Sequence, residues 1–173
     1  MVEDRVENLK DDNFIKSLDV TERKKLQDSI LNLPELPTTT IGSFPQTKDV
    51  RMNRLDYKRN QISYRQYSEN VRQFVREAVH IQEEIGMDVF VHGESERSDM
   101  VEHFCQRLDG MQSTDNGWII SYGTRTYRPS IIYGDVSREK PMTVYEVEYA
   151  QSLTDKPMKG MLTGAVTIMA WDF

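Results

Sequence analysis

Residues 63–93 read SYRQYSENVRQFVREAVHIQEEIGMDVFVHG, and the fold class turns on this stretch. Tyr64, Tyr67, Val71, Phe74, Ala78, Ile81 and Ile85 recur in steps of three and four, which draws one apolar stripe down a helix. Ser63 with Gln66 has the form of a capping box, and Gly86 stands where a left-handed residue would close the last turn. The spacing therefore predicts a helix over 63–85. MDVFVHG follows at once, an apolar run too short for a helix and bounded by glycine, so it predicts a buried strand. A long amphipathic helix feeding directly into an apolar strand is the joint of a parallel α/β unit.

The flanks continue the alternation. Upstream, TTTIGSFPQ (38–46) has the β-branched run of a strand from Thr38 that halts at Gly42, Ser43, Phe44 and Pro45. Before it, TERKKLQDSILNL places Leu26, Ile30 and Leu33 at helical spacing ahead of Pro34, and RMNRLDYKR (51–59) predicts a solvated loop or helix face. Downstream, SDMVEHFCQRL predicts a helix with Ser98 as N-cap, and WIISYG and PSIIYGD predict two strands paired as a hairpin across TRTYR. MTVYEVEYAQSL predicts a helix, KGMLTG a third buried strand and AVTIMAWDF the start of another helix. The three strands end on IGS, HGE and TGA. In parallel α/β folds the loops at the carboxyl ends of strands carry function, and glycine there lets backbone approach a ligand. The same pattern arises where glycines merely end strands, and spacing alone does not separate the two.

Composition narrows the function. With 38% hydrophobic and 29% charged residues the chain is of globular type, and no run of apolar residues is long enough to span a bilayer. The charged opening MVEDRVENLKDDN lacks the apolar middle of a secretory leader, and the single cysteine, Cys105, rules out an internal disulfide, so a cytoplasmic location is expected. A net charge of −6 argues against nucleic acid as the main partner. His103-Phe104-Cys105 has the H-x-C form of a metal motif, but residues two apart on a helix diverge by about 200° and do not readily share one ion. His92, before Glu94, can face a pocket or act as a hydrogen-bonded structural histidine; His80 is expected to be partly exposed.

LPTTTIGSFPQT, DVFVHGESERSDMVEHF, NGWIISYGTR, IIYGDVSREKPMTV and YAQSLTDKPMKGMLTGAVTIMAW, in that order, resemble the cobalamin-independent methionine synthase family, specifically the first part of its C-terminal barrel. The resemblance implies a partial (β/α)8 TIM barrel of roughly three or four strands with a β-hairpin insertion over 37–173, preceded by a charged helical lead-in and linker over 1–36. It implies methyl transfer from 5-methyltetrahydropteroyltri-L-glutamate to L-homocysteine, with zinc binding the thiol and no cobalamin. Zinc coordination deprotonates a thiol that is mostly protonated at neutral pH, while the amine leaving group of the donor calls for activation and close alignment.

By the family pattern, Ile41, Gly42 and Ser43 hold the amino-acid end of homocysteine and Glu94 pairs with its ammonium group. Arg125 and Thr126 correspond to folate contacts, and Trp171 to a tryptophan packed on the pterin. Thr126 stands where the family usually has cysteine, and Ser95 where it usually has phenylalanine in GEFER. The family's zinc ligands, His, Cys, Glu and Cys, and its catalytic histidine lie in later strands, so no catalytic or metal-binding residue is expected within this chain. An open partial barrel is expected to self-associate or pair with a complementary chain. Two other functions stay open: a noncatalytic remnant or split-enzyme piece that acts by binding, and a related barrel methyltransferase that uses a corrinoid carrier.

Overall fold

The computed structural model describes residues 4, 7, 8 and 18–172, and the chain divides into two compact units, Met1–Pro37 and Thr38–Phe173. Most of the charged opening 1–17 and Phe173 lie outside the described residues. In the first unit α1 (Val20–Leu31) begins at Asp19, whose carboxylate accepts from the Thr21 N–H at 2.7 Å, and ends at left-handed Asn32. None of its residues is buried: Leu26 and Ile30 stand in solvent, so the helical spacing marks a helix without marking a packed face.

In the second unit the basic run becomes α2 (Lys48–Lys58), capped by Thr47, with Val50 and Asn53 turned inward. The long helix α3 (Tyr64–Glu84) starts at a complete Ser63–Gln66 capping box, and Gly86 follows with φ +73°. Its buried face differs from the expected stripe. Val71, Val75, Ala78, Val79 and Gln82 point inward, whereas Tyr64, Ile81 and Ile85 are exposed. Gln82 accounts for this rotation. Its side chain donates to the Val91 and Ala78 carbonyls and accepts from the Val91 N–H, each at 2.8 Å, so a polar residue faces the strand and serves its backbone.

That strand lies in the middle of three extended segments that run parallel. Thr39 pairs with Val89, Ser43 with Gly93, and Phe90 with Met158. Asp88 ties the first two segments by accepting from the Thr38 N–H at 2.7 Å and its hydroxyl at 2.8 Å. Phe90 exchanges backbone bonds with Pro157 and Lys159, at 2.9 and 2.8 Å. The third pairing thus begins at Met158, ahead of KGMLTG, and Leu162 is 65% exposed, which corrects the expectation of a third buried strand there. Phe90, fully enclosed, packs with Val71, Val75, Val79 and with Ala150 of α5 (Val144–Gln151). Burying such a side chain stabilises by about 1.5–3 kcal/mol.

Between the second and third segments lies α4 (Met100–Cys105), followed by two nested hairpins. The N-cap of α4 is Asp99, which accepts from the Val101 and Glu102 N–H groups, rather than Ser98. In the inner hairpin β2 (Ile119–Tyr122) pairs with β3 (Arg125–Tyr127). In the outer one β1 (Asp109–Ser113) pairs with β4 (Ser130–Ser137). WIISYG and PSIIYGD therefore do not pair with each other. Gly123, at φ +56°, lets the chain reverse within two residues, so RTY from the presumed connector pairs with IISY. The partner of PSIIYGD is DGMQS, whose single large apolar residue, Met111, leaves no alternation to read. Met111 packs with Val101 and Cys105 and against Ile168 and Trp171 of α6 (Ala165–Trp171). Among the described residues no helix is long and apolar enough to cross a membrane.

Candidate functional site

The parallel pairing of Ser43 with Gly93 sets two strand ends side by side and opens a cleft of about 450 Å³. Ser43, Glu94, Arg97, Asp99, Arg125 and Thr126 contribute to its lining. Gly42 lies buried beneath. A Cβ on it would fall 2.6 Å from Glu94 Oε1 and 2.7 Å from Met161 Cγ, so the absence of a side chain is what lets the third segment and the glutamate close on the first. Glu94 itself sits at φ +58°, a left-handed conformation that costs a side-chain-bearing residue about 1–3 kcal/mol. Its carboxylate is almost wholly buried. Among the described residues Oε1 has no hydrogen-bond partner, and it lies 3.7 Å from Arg97 Nη1.

Of the residues singled out in the sequence, Ser43, Glu94, Arg125 and Thr126 meet in this cleft, with Gly42 against the back of Glu94. Ile41 is 83% exposed and is not part of the lining, so only its backbone stands near the strand end. Trp171 is also outside the lining. Its ring meets Tyr127 edge-on at 4.7 Å, and the Arg125 guanidinium lies 5.4 Å above it, while Arg125 Nη2 donates to Asp99 at 2.7 Å.

Behind Glu94 runs a buried chain of charged and polar groups that sequence reasoning did not anticipate. His92 Nε2 stands 3.1 Å from Glu96 Oε1, and Arg97 Nε donates to the same oxygen at 2.8 Å. Arg97 Nη1 also donates to the Met161 carbonyl at 3.1 Å, and the guanidinium packs 5.3 Å from the Phe104 ring. Ser95, the departure noted from the family pattern, offers its carbonyl to Arg54 Nη1 at 2.8 Å. The available signal was the placement of three charged residues in GESER directly after a buried strand; it did not say that Glu96 and Arg97 turn inward.

Burial and charge act in opposite senses on the two glutamates. Burial raises the Glu94 carboxyl above the usual range, and the Arg97 and His92 charges only partly offset it. At Glu96 burial also pushes upward, but the His92 hydrogen bond and the His92 and Arg97 charges outweigh it and bring the carboxyl down to about 2. A carboxyl depressed in the folded state contributes stability that is complete above its ordinary value of 4.5 and is lost as pH falls toward 2. Urea unfolding is therefore expected to show Glu96→Gln losing less stability than the parent between pH 5 and about pH 3. The raised Glu94 has the opposite sign in both proteins, and its contribution is smaller in Glu96→Gln because the Glu96 charge helps to raise it.

The residues of the H-x-C triplet do not fit zinc. His103 is buried edge-on to Phe104, and burial followed by the Arg107 charge brings its imidazole down to about 3; the neutral ring is the form zinc binds, so the misfit lies in the triplet's helical spacing and in Cys105. Burial, with the nearby Asp172 charge, pushes the Cys105 thiol up to about 12, and its Sγ donates to Asp172 Oδ2 at 3.3 Å, whereas zinc binds thiolate. Among the described residues no three His, Cys, Asp or Glu groups converge to hold a metal ion. His80 is exposed, 3.4 Å from Glu84.

Residues 36–173 match the family described as "Cobalamin-independent synthase, Catalytic domain". The chain is 55% identical over 170 residues, 98% of its length, to the 5-methyltetrahydropteroyltriglutamate--homocysteine methyltransferase of Thermotoga maritima. It is 58% identical over 151 residues, 87% of its length, to the protein of the same name from Coxiella burnetii. The chain spans only 23% and 20% of those relatives. In structure it is similar to a B12-independent methionine synthase from a Shewanella species in complex with selenomethionine, with TM-score 0.64, 20% identity, and coverage of 80% of this chain and 40% of that one. This last likeness concerns the fold. By the match over most of its length, the chain belongs to the cobalamin-independent synthase catalytic domain family.

Proposed function

We propose that this chain supplies the amino-acid grip, and part of the folate contacts, for methyl transfer from 5-methyltetrahydropteroyltriglutamate to homocysteine. The reading treats the three parallel segments as the opening strands of a (β/α)8 barrel whose carboxyl ends carry the site. One observation carries it. Glu94 holds a largely buried carboxylate in a strained backbone position on the wall of a cleft, and among the described residues its enclosed Oε1 has no hydrogen-bond donor. Such a group is matched by a ligand ammonium, and the Ser43 hydroxyl beside it offers a donor to a ligand carboxylate. Arg125, fixed by Asp99 and stacked near Trp171, sets a cation at the far side of the cleft for the anionic folate. Thr126 completes that side, with Trp171 behind Arg125 and outside the lining.

Zinc would supply the deprotonated thiol in the full reaction. The residues described here give it no fitting ligand set. The chain's own part is to orient the amino acid, so that its sulfur projects away from Glu94 toward ligands contributed by other residues. A second reading is that of a noncatalytic or split-enzyme piece acting through a complementary chain. It is favoured by the exposure of Ile41, Leu162, Val166 and Met169, apolar side chains on and just beyond the first and third segments.

The test is to measure homocysteine binding and methyl transfer with this chain alone, then with the later portion of a related synthase added. Binding without turnover, and turnover once the added portion is present, is the expected result. Turnover by the chain alone would overturn the division of labour, and failure to bind homocysteine in either form would overturn the amino-acid site.

A further inference from the structure

We infer that Arg97 is a positioning residue: it aims Glu94 at the ligand's ammonium group and, through Met161, draws the third parallel segment onto the same cleft. The inference rests on the amino-acid site proposed above and adds the source of its selectivity for a free amino group. Arg97 does not need to touch the ligand to do this.

The geometry leaves the guanidinium little freedom. It is 2% exposed, and Nε and Nη1 each have a task, while Nη2 is buried with no hydrogen-bond partner among the described residues. Nε is taken by Glu96 at 2.8 Å, and Glu96 is itself held by His92 at 3.1 Å. Nη1 faces Glu94 Oε1 at 3.7 Å and the Met161 carbonyl at 3.1 Å. Phe104 of α4 covers the group at 5.3 Å. A planar fork holds two acceptors, Glu96 and the Met161 carbonyl, and sets its charge toward Glu94 from one fixed plane, whereas the point charge of a lysine on a flexible stem does not. Gly42 supports the same closure from the other side, since its missing Cβ is what admits both Glu94 Oε1 and Met161.

Electrostatics agree with that arrangement. Burial favours a neutral Glu94, which could not pair with an ammonium group, and Arg97 is the largest opposing influence, ahead of His92, while Glu96 acts with burial. The other charges on the cleft, Asp99 and Arg125, are paired with each other at 2.7 Å.

The experiment compares the full chain with Arg97→Gln and Arg97→Lys, following the Glu94 carboxyl by carbon NMR across pH. Binding of L-methionine is measured beside 4-(methylthio)butanoate, which lacks only the amino group. In the parent, methionine is expected to bind about 30-fold or more tighter than the deaminated analogue. In Arg97→Gln the Glu94 midpoint is expected to rise by about one pH unit or more and the preference to collapse. In Arg97→Lys the midpoint is expected to stay within about half a unit of the parent while methionine binding weakens several-fold, because charge persists without the fork.

Unchanged midpoint and unchanged preference in Arg97→Gln would overturn the inference. If that variant does not fold, Arg97→Lys decides, and methionine affinity equal to the parent's would overturn it. Failure of the underlying site reads differently: the parent's Glu94 signal then ignores methionine at every pH, although its midpoint still moves in Arg97→Gln, and the inference falls with the site.

Discussion

Replacement of Glu94 by glutamine is expected to weaken homocysteine binding by about 30-fold or more, because truncating one partner of a buried charge pair costs about 2–5 kcal/mol. The same change is expected to leave folding stability within about 1 kcal/mol of the parent. Among the described residues Glu94 Oε1 has no hydrogen bond to lose, Arg97 keeps Glu96 and the Met161 carbonyl, and glutamine needs no desolvation of a charge. Titration calorimetry with homocysteine and urea unfolding of the same preparations check both halves. A large loss of stability with affinity intact would make Glu94 a structural residue and remove the central contact of the proposed site.

The second large effect concerns stability alone. Gln82 is completely buried, and its amide both donates to and accepts from the backbone of Val91 while also donating to Ala78. Gln82→Leu conserves bulk but strands the Val91 N–H and carbonyl inside the core, at about 1–3 kcal/mol for each unsatisfied group. The expected loss, about 3–5 kcal/mol, is a large share of the 5–15 kcal/mol that typically separates folded from unfolded states. Urea unfolding measures the loss, and amide exchange at Val91 locates it. A change below about 1 kcal/mol would mean that water replaces the side chain and that the helix is not anchored to the strand in this way.

The two predictions also mark where sequence reading succeeded and where it stopped. The ends of α3 were legible because Ser63, Gln66 and Gly86 act through contacts a few residues away. Its inward face was not, because an apolar count rejects glutamine, and the reason for burying Gln82 lies in the unpaired backbone of a strand nine residues on. The hairpins failed for a related reason. IISY and IIYG look equally extended, and pairing was decided by the Gly123 turn and by DGMQS, a segment without strand alternation.

At the cleft, Ser43 and Glu94 could be nominated because each follows a glycine-bounded apolar run. Ile41 and Trp171, named as contacts through the resemblance, lie outside the lining, which depends on which way a loop and a distant helix turn. Glu96 and Arg97 were passed over, since charged residues in a loop are ordinarily solvated.

What the sequence by itself determined is the helix-to-strand joint over 63–93, the termini of α3 and the glycines that end the first two segments, all consequences of local backbone preference and spacing. Only the tertiary structure decided which helical face is buried, which strands pair in the hairpins and how His92 and Glu96 come to stand behind Arg97 and Glu94 of the cleft. Those outcomes rest on partners far apart in the chain, such as Arg97 with Met161 and Gly42 with Glu94, and on the need to satisfy every polar group that folding removes from water.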